Sequence, residues 1–303
     1  MLRSLLLALS RQPHLRHWME TSPFAERLTS RFIAGSTIDR EVAVCQRLNA
    51  DGYLATLDHL GESVTSLAEA EQSRDAYLEA LDRIVQLNLH ATVSVKLTQL
   101  GLDLSEAACR ANVESLVTHA QAHGQMVEID MESSGYVDRT LALVRDLHSR
   151  YASVRAVIQA YLYRSEGDIA QLSEQRVPIR LCKGAYSEPS NVAFPHKAEV
   201  DANYVKLMLQ LFDRGTYPAI ASHDGTIVDR AIKYIQERSI PTDRFEFQML
   251  YGVGRDLQRR LVAAGYRLRL YLPYGDAWYP YFMRRLAERP ANVLFLARNL
   301  LKS

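Results

Sequence analysis

Two adjacent arginines, Arg284 and Arg285, follow four aromatic residues and a proline in WYPYFMRRL at positions 278–286. A guanidinium donates two parallel hydrogen bonds to a carboxylate or phosphate. On a helix, Tyr281, Arg284 and Arg285 share one face because they lie three and four positions apart. The segment would suit a small molecule with one anionic end and one apolar ring. Alone, an Arg-Arg pair reads as ordinary solvated surface, so its meaning depends on where the chain places it.

Further polar groups recur with strand spacing. Thr92, Ser94 and Lys96 alternate with Val93, Val95 and Leu97, and Glu128, Asp130 and Glu132 alternate with Val127, Ile129 and Met131. Later runs supply Gln159 and Tyr161, then Arg180, Cys182 and Tyr186, then Ser222-His223-Asp224, then Gln248, and finally Arg267, Arg269 and Tyr271. Side chains of one parity share one face of a strand. Each charged residue also has a structural reading, such as an interior ion pair of Lys96 with Asp130 or of Arg180 with Glu132. Gathered at one place, the set instead describes a binding site with enough fixed positive charge for an anionic ligand.

The elements that must gather them form a repeating unit of short apolar strand, polar loop and amphipathic helix. Strands are expected at 52–61, 91–101, 126–133, 155–162, 178–186, 218–225, 245–252 and 266–275. Helical patterns lie between them, as in 68–87, 106–124 and 138–151, and Gly124, Gly215 and Gly265 are expected to close helices in a left-handed conformation. Eight such units predict an α/β chain folded as a (β/α)8 TIM barrel, whose active site lies at the C-terminal strand ends. No GxGxxG follows the first strand, which argues against a dinucleotide-binding open sheet. Residues 1–50 are expected to form an N-terminal helical segment and residues 51–303 the barrel domain, with the last helix beginning near Asp276 beside the barrel mouth.

Composition narrows the class. The 303 residues are 48% hydrophobic and 23% charged with a net charge of +1, which gives no sign of a nucleic-acid partner. Cys45, Cys109 and Cys182 have no metal-ligand spacing, so no metal is expected and burial in a reducing compartment is. The apolar run Leu5 to Leu9 is too short to span a bilayer. With Arg3, Arg11 and Arg16 it leaves peripheral membrane contact open, although a helix packed on the domain is favoured and a cytoplasmic location is the default.

Nine segments, in order, resemble the proline dehydrogenase (proline oxidase) flavoenzymes, both stand-alone bacterial forms and the matching domain of bifunctional proline-utilisation proteins. They are DHLGESV, SVKLTQLG, VEIDMES, VIQAYLYR, IRLCKGAY, KAEVDANY, ASHD, FEFQMLYGVG and LYLPYG with WYPYFMRRLAERPANV. The resemblance spans about residues 50–295 and the length matches the stand-alone form. It implies a distorted barrel with its last helix over the mouth, FAD at the strand ends, and oxidation of L-proline to Δ1-pyrroline-5-carboxylate with electrons passed to a membrane quinone. It assigns the substrate carboxylate to Lys96, Arg284 and Arg285, whose charge-assisted bonds are worth about 1.5–3 kcal/mol each, and the pyrrolidine ring to Tyr271, Tyr281 and Leu250. Asp130 would orient these cations and Glu62 would gate the site. Gln159, Arg180, Lys183, Gly184, Ala185, Tyr186, Lys197, Ser222 and His223 would hold FAD, with Arg180 at the hydride-accepting edge and Tyr186 beside the reaction.

Three departures from the family pattern stand out: Cys182 in place of a branched aliphatic, Ser187 in place of an aromatic near the expected adenine end, and His59 in place of an aliphatic. Two other readings share the barrel. One is the same chemistry on hydroxyproline, which Tyr271 would crowd. The other is a Schiff-base aldolase using Lys96 or Lys183, which needs a lowered lysine pKa that neighbouring carboxylates oppose.

Overall fold

Neighbouring strands pair in parallel, and the eighth returns to pair with the first, with Thr56 opposite Tyr271 and His59 opposite Tyr274. The structure, a computed structural model, describes residues 12, 22, 32–61, 64–275, 277–279 and 281–283. Helix α1 (Ile38–Ala50) leads into β1 (Leu54–His59), α2 (Leu67–Gln86), β2 (Ala91–Val95), α3 (Glu106–Ala122) and β3 (Val127–Ile129). A 3₁₀ turn (Ser134–Tyr136) precedes α4 (Val137–Arg150), followed by β4 (Val154–Gln159), α5 (Ser165–Glu174), β5 (Pro178–Cys182) and α6 (Lys197–Arg214). The barrel is completed by β6 (Thr216–Ala221), α7 (Gly225–Glu237), β7 (Glu246–Leu250), α8 (Arg255–Ala263) and β8 (Leu268–Tyr274). The expected barrel is therefore the fold. Its strands are shorter than the apolar runs suggested, because the polar ends of those runs turn outward as loops.

Local chemistry explains where helices begin. Thr37, Ser66, Ser105 and Asp224 accept a backbone N–H from the first turn of α1, α2, α3 and α7 respectively, each satisfying a donor the helix cannot. Gly124 and Gly265 turn left-handed, at φ of 66° and 80°. Gly215 does not: its φ is −77° and the chain enters β6 at the next residue. Its glycine is required by space, since a Cβ there would meet the Leu211 carbonyl oxygen at 2.6 Å.

One parity of each strand packs outward on the helices, as Val93, Val95, Val127, Ile129, Ala156 and Ile158 do in the main apolar core. The opposite parity fills the barrel with charge. Glu246 bonds Arg155 at 2.8 Å and Arg269 at 2.8 Å, while Glu128 lies 3.3 Å from Arg155 and 3.1 Å from Arg180. Thr56 and Thr92 donate to the other side of Glu128 at 3.0 and 2.9 Å. Burial alone would raise the Glu128 carboxyl, but the guanidiniums of Arg155, Arg180 and Arg269 outweigh it and hold the pKa down to about 2.

At the mouth a second apolar cluster joins Phe32, Ile33, Leu60 and Val253 to Trp278, Tyr279, Tyr281, Phe282 and Met283. The remainder of the expected last helix, with Arg284 and Arg285, lies outside the described residues, as do Glu62 and most of the segment before Phe32. Among the described residues no helix is long and apolar enough to cross a membrane, and no cluster of His, Cys, Asp or Glu is arranged to hold a metal ion.

Helix α1 carries an anomaly on its inward face, where Glu41 is fully buried beside Val42, Val44 and Cys45. Neither of its carboxyl oxygens has a hydrogen-bond partner. Burial first, and then the charge of Asp58, raise its pKa well above the ordinary carboxylate value. An acid with a raised folded pKa costs nothing below its unfolded value of about 4.5, and above it favours the unfolded chain, which ionises first. Glu41→Gln is therefore expected to raise Tm at about pH 8, with the gain vanishing near pH 4. Melting curves of the two proteins across that range check the sign.

Candidate active site

A cavity of about 850 Å³ opens at the C-terminal strand ends. The structure brings together in its wall every described residue that the family resemblance assigned to substrate or cofactor, whereas Thr92, Ser94, Glu128, Glu132, Tyr161, Arg267 and Arg269 of the polar strand sets do not line it. Lys96, Leu250, Tyr271 and Tyr281 line it, as do Asp130, Gln159, Arg180, Lys183, Gly184, Ala185, Tyr186, Lys197, Ser222 and His223. Most come from the C-terminal half of a strand or the loop after it, where a (β/α)8 barrel places its active site, while Lys197 opens α6 and Tyr281 lies in the helical segment 281–283. The cavity sits near the upper end of the range for small-molecule and cofactor sites, roughly 300–1,000 Å³. It is far larger than one amino acid requires.

Asp130 is the hub. Its carboxylate is ion-paired with Arg180, accepts Ser94 Oγ at 2.8 Å and Tyr271 Oη at 3.1 Å, and lies 3.5 Å from Lys96 Nζ. Four side chains, from β2 and its end, β5 and β8, thus converge on two oxygens. Burial first, then the charge of Asp130, push the Tyr271 phenol well above its ordinary pKa, so it stays a donor. The Arg180 guanidinium also stands 5.4 Å above the Tyr271 ring, a cation–π contact that fixes the aromatic wall.

Of the two interior ion pairs weighed as the structural alternative, Lys96 with Asp130 forms and Arg180 with Glu132 does not. Arg180 reaches inward to Glu128 and Asp130, while Glu132 turns into the loop after β2 and accepts the backbone N–H of Thr98 at 3.0 Å and its hydroxyl at 2.6 Å. The reason is height: Glu132 lies beyond the three-residue β3, where strand alternation no longer points a side chain into the barrel.

Sequence reasoning also passed over Asp58, whose carboxylate lies 3.3 Å from Lys96 Nζ. A signal for it existed, since Asp58 has the parity of Thr56 and lies one residue from the end of β1. Lys96 is thereby held between Asp58 and Asp130.

The cofactor-assigned residues show their own bracing. The Gln159 amide donates to the Glu132 carbonyl at 2.9 Å and accepts the Ala185 N–H at 3.3 Å, so it shapes the turn after β5. Gly184 takes a φ of 120° directly against the Tyr161 ring. His223 Nε2 accepts the backbone N–H of Leu250 at 2.8 Å, and an accepting Nε2 carries no proton. Lys183 and Lys197 both pair with Asp201, and Lys183 also bonds Asp224 at 3.0 Å. Lys96 and Lys183 thus both face carboxylates directly. Cys182 is pushed up to about 12 by burial and has no thiolate to offer.

The proline dehydrogenase family model matches residues 42–298. The chain belongs to the proline dehydrogenase family. It is 40% identical to proline dehydrogenase 1 of Bacillus subtilis (strain 168) over all of both chains. It is also 40% identical to the proline dehydrogenase of Deinococcus radiodurans, covering 91% of this chain and 90% of that one. The fold superposes with a TM-score of 0.82 on proline utilization A from Bdellovibrio bacteriovorus, crystallised after inactivation by N-propargylglycine. That match is 26% identical and covers 94% of this chain but 36% of the larger protein. Membership in this family makes the chain an oxidoreductase and leaves the aldolase alternative without support.

Proposed function

We propose that this chain oxidises L-proline to Δ1-pyrroline-5-carboxylate with FAD as cofactor, delivering the electrons to a quinone. One observation carries the reading: in a chain of this family, Lys96, Arg180 and Tyr271 are locked onto a single carboxylate, Asp130, in the wall of a cavity too large for proline alone. The residues present fit FAD. Gly184 lets the wall segment 183–186 pass directly against the Tyr161 ring, and Arg180, Lys183 and Lys197 supply cations along the wall for an anionic cofactor. Gln159, Ala185, Tyr186, Ser222 and His223 complete the set that would hold it. When bound, FAD would accept the hydride from the ring carbon next to nitrogen.

The chain's own residues do the rest. Lys96 binds the substrate carboxylate together with Arg284 and Arg285, assigned by family resemblance. Tyr271, Tyr281 and Leu250 confine the ring and exclude water, and Glu62 gates entry. Asp130 orients Lys96, Tyr271 and Arg180. Arg180 places a fixed positive charge where negative charge develops on reduction. The amine proton leaves to solvent before or during binding. The bond between Tyr271 and Asp130 pins the phenol ring in place, which favours proline over its hydroxylated analogue.

The test is spectroscopic. The purified protein, or the protein after addition of FAD, should show a flavin spectrum that bleaches without oxygen on L-proline and not on D-proline. A colourless protein inert to added FAD would sink the proposal. Arg285→Met should raise KM for proline at least tenfold with flavin retained; an unchanged KM would remove the anchor assignment.

Gly184→Ala probes the cofactor wall. An added Cβ would lie 2.2 Å from Tyr161 Cδ1 at a φ of 120°, a backbone strain of roughly 1–3 kcal/mol before any ring displacement. The variant should melt earlier and lose most of its bound flavin. Absorbance ratios of the purified proteins measure the loss.

A further inference from the structure

Glu128 has no place in the cavity wall, yet it is the buried partner of the cation that the wall presents. It is fully buried, and one of its carboxyl oxygens accepts Arg180 Nη1 at 3.1 Å and Gln248 Nε2 at 3.3 Å. The other accepts Thr56 and Thr92 hydroxyls and lies 3.3 Å from Arg155. Arg180 spends Nη1 on Glu128 and Nη2 on Ser94 and Asp130. Both terminal nitrogens therefore point into the barrel, and their charge is matched there.

The match extends through the lattice. Lys96, Arg155, Arg180 and Arg269 face Asp58, Glu128, Asp130 and Glu246 through direct ion pairs, four charges of each sign and a balance of zero. In a water-excluded interior such charges are weakly screened. The field Arg180 projects into the cavity is thus a residue of cancellation, and it changes whenever a partner does. Asp130 is a poor handle on this balance, because it also holds Lys96 and Tyr271 in the wall. Glu128 touches the cavity only through Arg180 and Gln248.

We propose that Glu128 is a positioning residue which sets the effective charge Arg180 presents to the electron-accepting cofactor, and so lowers that cofactor's readiness to take electrons. The inference rests on the reading above, in which the cavity holds a flavin. No bond is made or broken at Glu128; it acts by its charge alone and by fixing the direction of the guanidinium.

Glu128→Gln keeps the shape and removes the charge. In the flavin-loaded variant, the equilibrium between oxidised and reduced flavin should move about tenfold toward the reduced form. For a two-electron couple that is an upward shift of about 30 mV, read by anaerobic titration against a dye of known potential. KM for proline should stay within about twofold. Glu246→Gln is the control: equally buried and ion-paired, but bonded to Arg155 and Arg269 rather than Arg180, it should lose stability and move the potential by well under half as much.

Where Glu128→Gln does not fold, Glu128→Gln with Arg155→Met removes one charge of each sign and should still shift the potential upward, by less than the single variant, because Glu128 contacts Arg180 directly whereas Arg155 contacts Glu128 and Glu246. A flavin-loaded variant with an unchanged potential, or a Glu246→Gln control shifted equally, overturns the inference and leaves the proposed reaction standing. Failure of both Glu128 variants to fold makes the residue purely structural, which also overturns it. A wild-type protein that binds no flavin instead brings down the proposed reaction and this inference together.

Discussion

Replacing Glu246 with alanine should cost about 3–5 kcal/mol of stability, the range for stripping one partner from a buried ion pair. Glu246 is fully buried at the start of β7 and compensates two guanidiniums, Arg155 and Arg269, which are themselves almost wholly enclosed. It also accepts the Gln248 amide at 2.8 Å. Alanine would leave two arginines facing one another in the barrel with Glu128 alone between them. Urea unfolding should show the loss as a lower midpoint, and at low expression temperature the variant should still accumulate in part. A loss under about 1 kcal/mol would mean that water enters the barrel floor.

The same lattice predicts the response to acid. Glu128 titrates near about 2 in the fold against about 4.5 when unfolded, so the unfolded chain binds protons first as the pH drops. A depressed carboxylate contributes stability that is complete above about pH 4.5 and is lost as pH falls through about 2. The difference corresponds to on the order of 3 kcal/mol for this one group. Glu246 is depressed as well, burial opposing and Arg269 and Arg155 prevailing. Unfolding should therefore be driven by acid in that window, and the Glu246→Ala protein should lose part of the dependence.

How legible was this in the sequence? The barrel was, because eight short apolar runs alternate with amphipathic helical patterns, and a parallel barrel is the fold that covers such strands. The cavity wall was too, since Lys96, Asp130, Ser222 and His223 lie just past strand ends and Arg180 has the inward parity of β5. Contacts between strands were not. Parity says that Arg180 points inward; only the stagger of β3 against β5 decides that it meets Glu128 and Asp130 rather than Glu132. Asp58 was missed because its strand has a single polar pair, Thr56 and Asp58, among apolar neighbours. Glu41 was invisible for a related reason: helical periodicity marks an acidic first turn as solvated, and only the packing of α1 on the barrel buries it. Gly215 shows the limit of reading glycines, where a requirement for space imitates a requirement for φ.

Asp130→Ala should reduce kcat/KM for proline by a factor of about 10²–10⁴. The magnitude follows from bonds lost: the carboxylate serves Arg180, Tyr271 and Lys96 at once, and two such charge-assisted contacts at about 1.5–3 kcal/mol each give roughly 3–6 kcal/mol, at 1.36 kcal/mol per tenfold in rate. The effect should divide between the two constants. Lys96 keeps Asp58 as a partner, so substrate affinity falls only moderately, whereas Tyr271 loses the acceptor that pins its ring and Arg180 loses the partner nearest the cavity. Most of the loss should therefore sit in kcat, measured as the rate of flavin bleaching in a single anaerobic turnover. Asp130→Asn separates charge from geometry, because an amide still accepts from Tyr271 but no longer neutralises Lys96 or Arg180. Equal losses in both variants mean that the charge does the work; a much milder loss in Asp130→Asn means that the residue acts by holding Tyr271. A kcat/KM within threefold of wild type in Asp130→Ala would show that the hub of this wall is structural and that the reacting end of the cavity lies elsewhere.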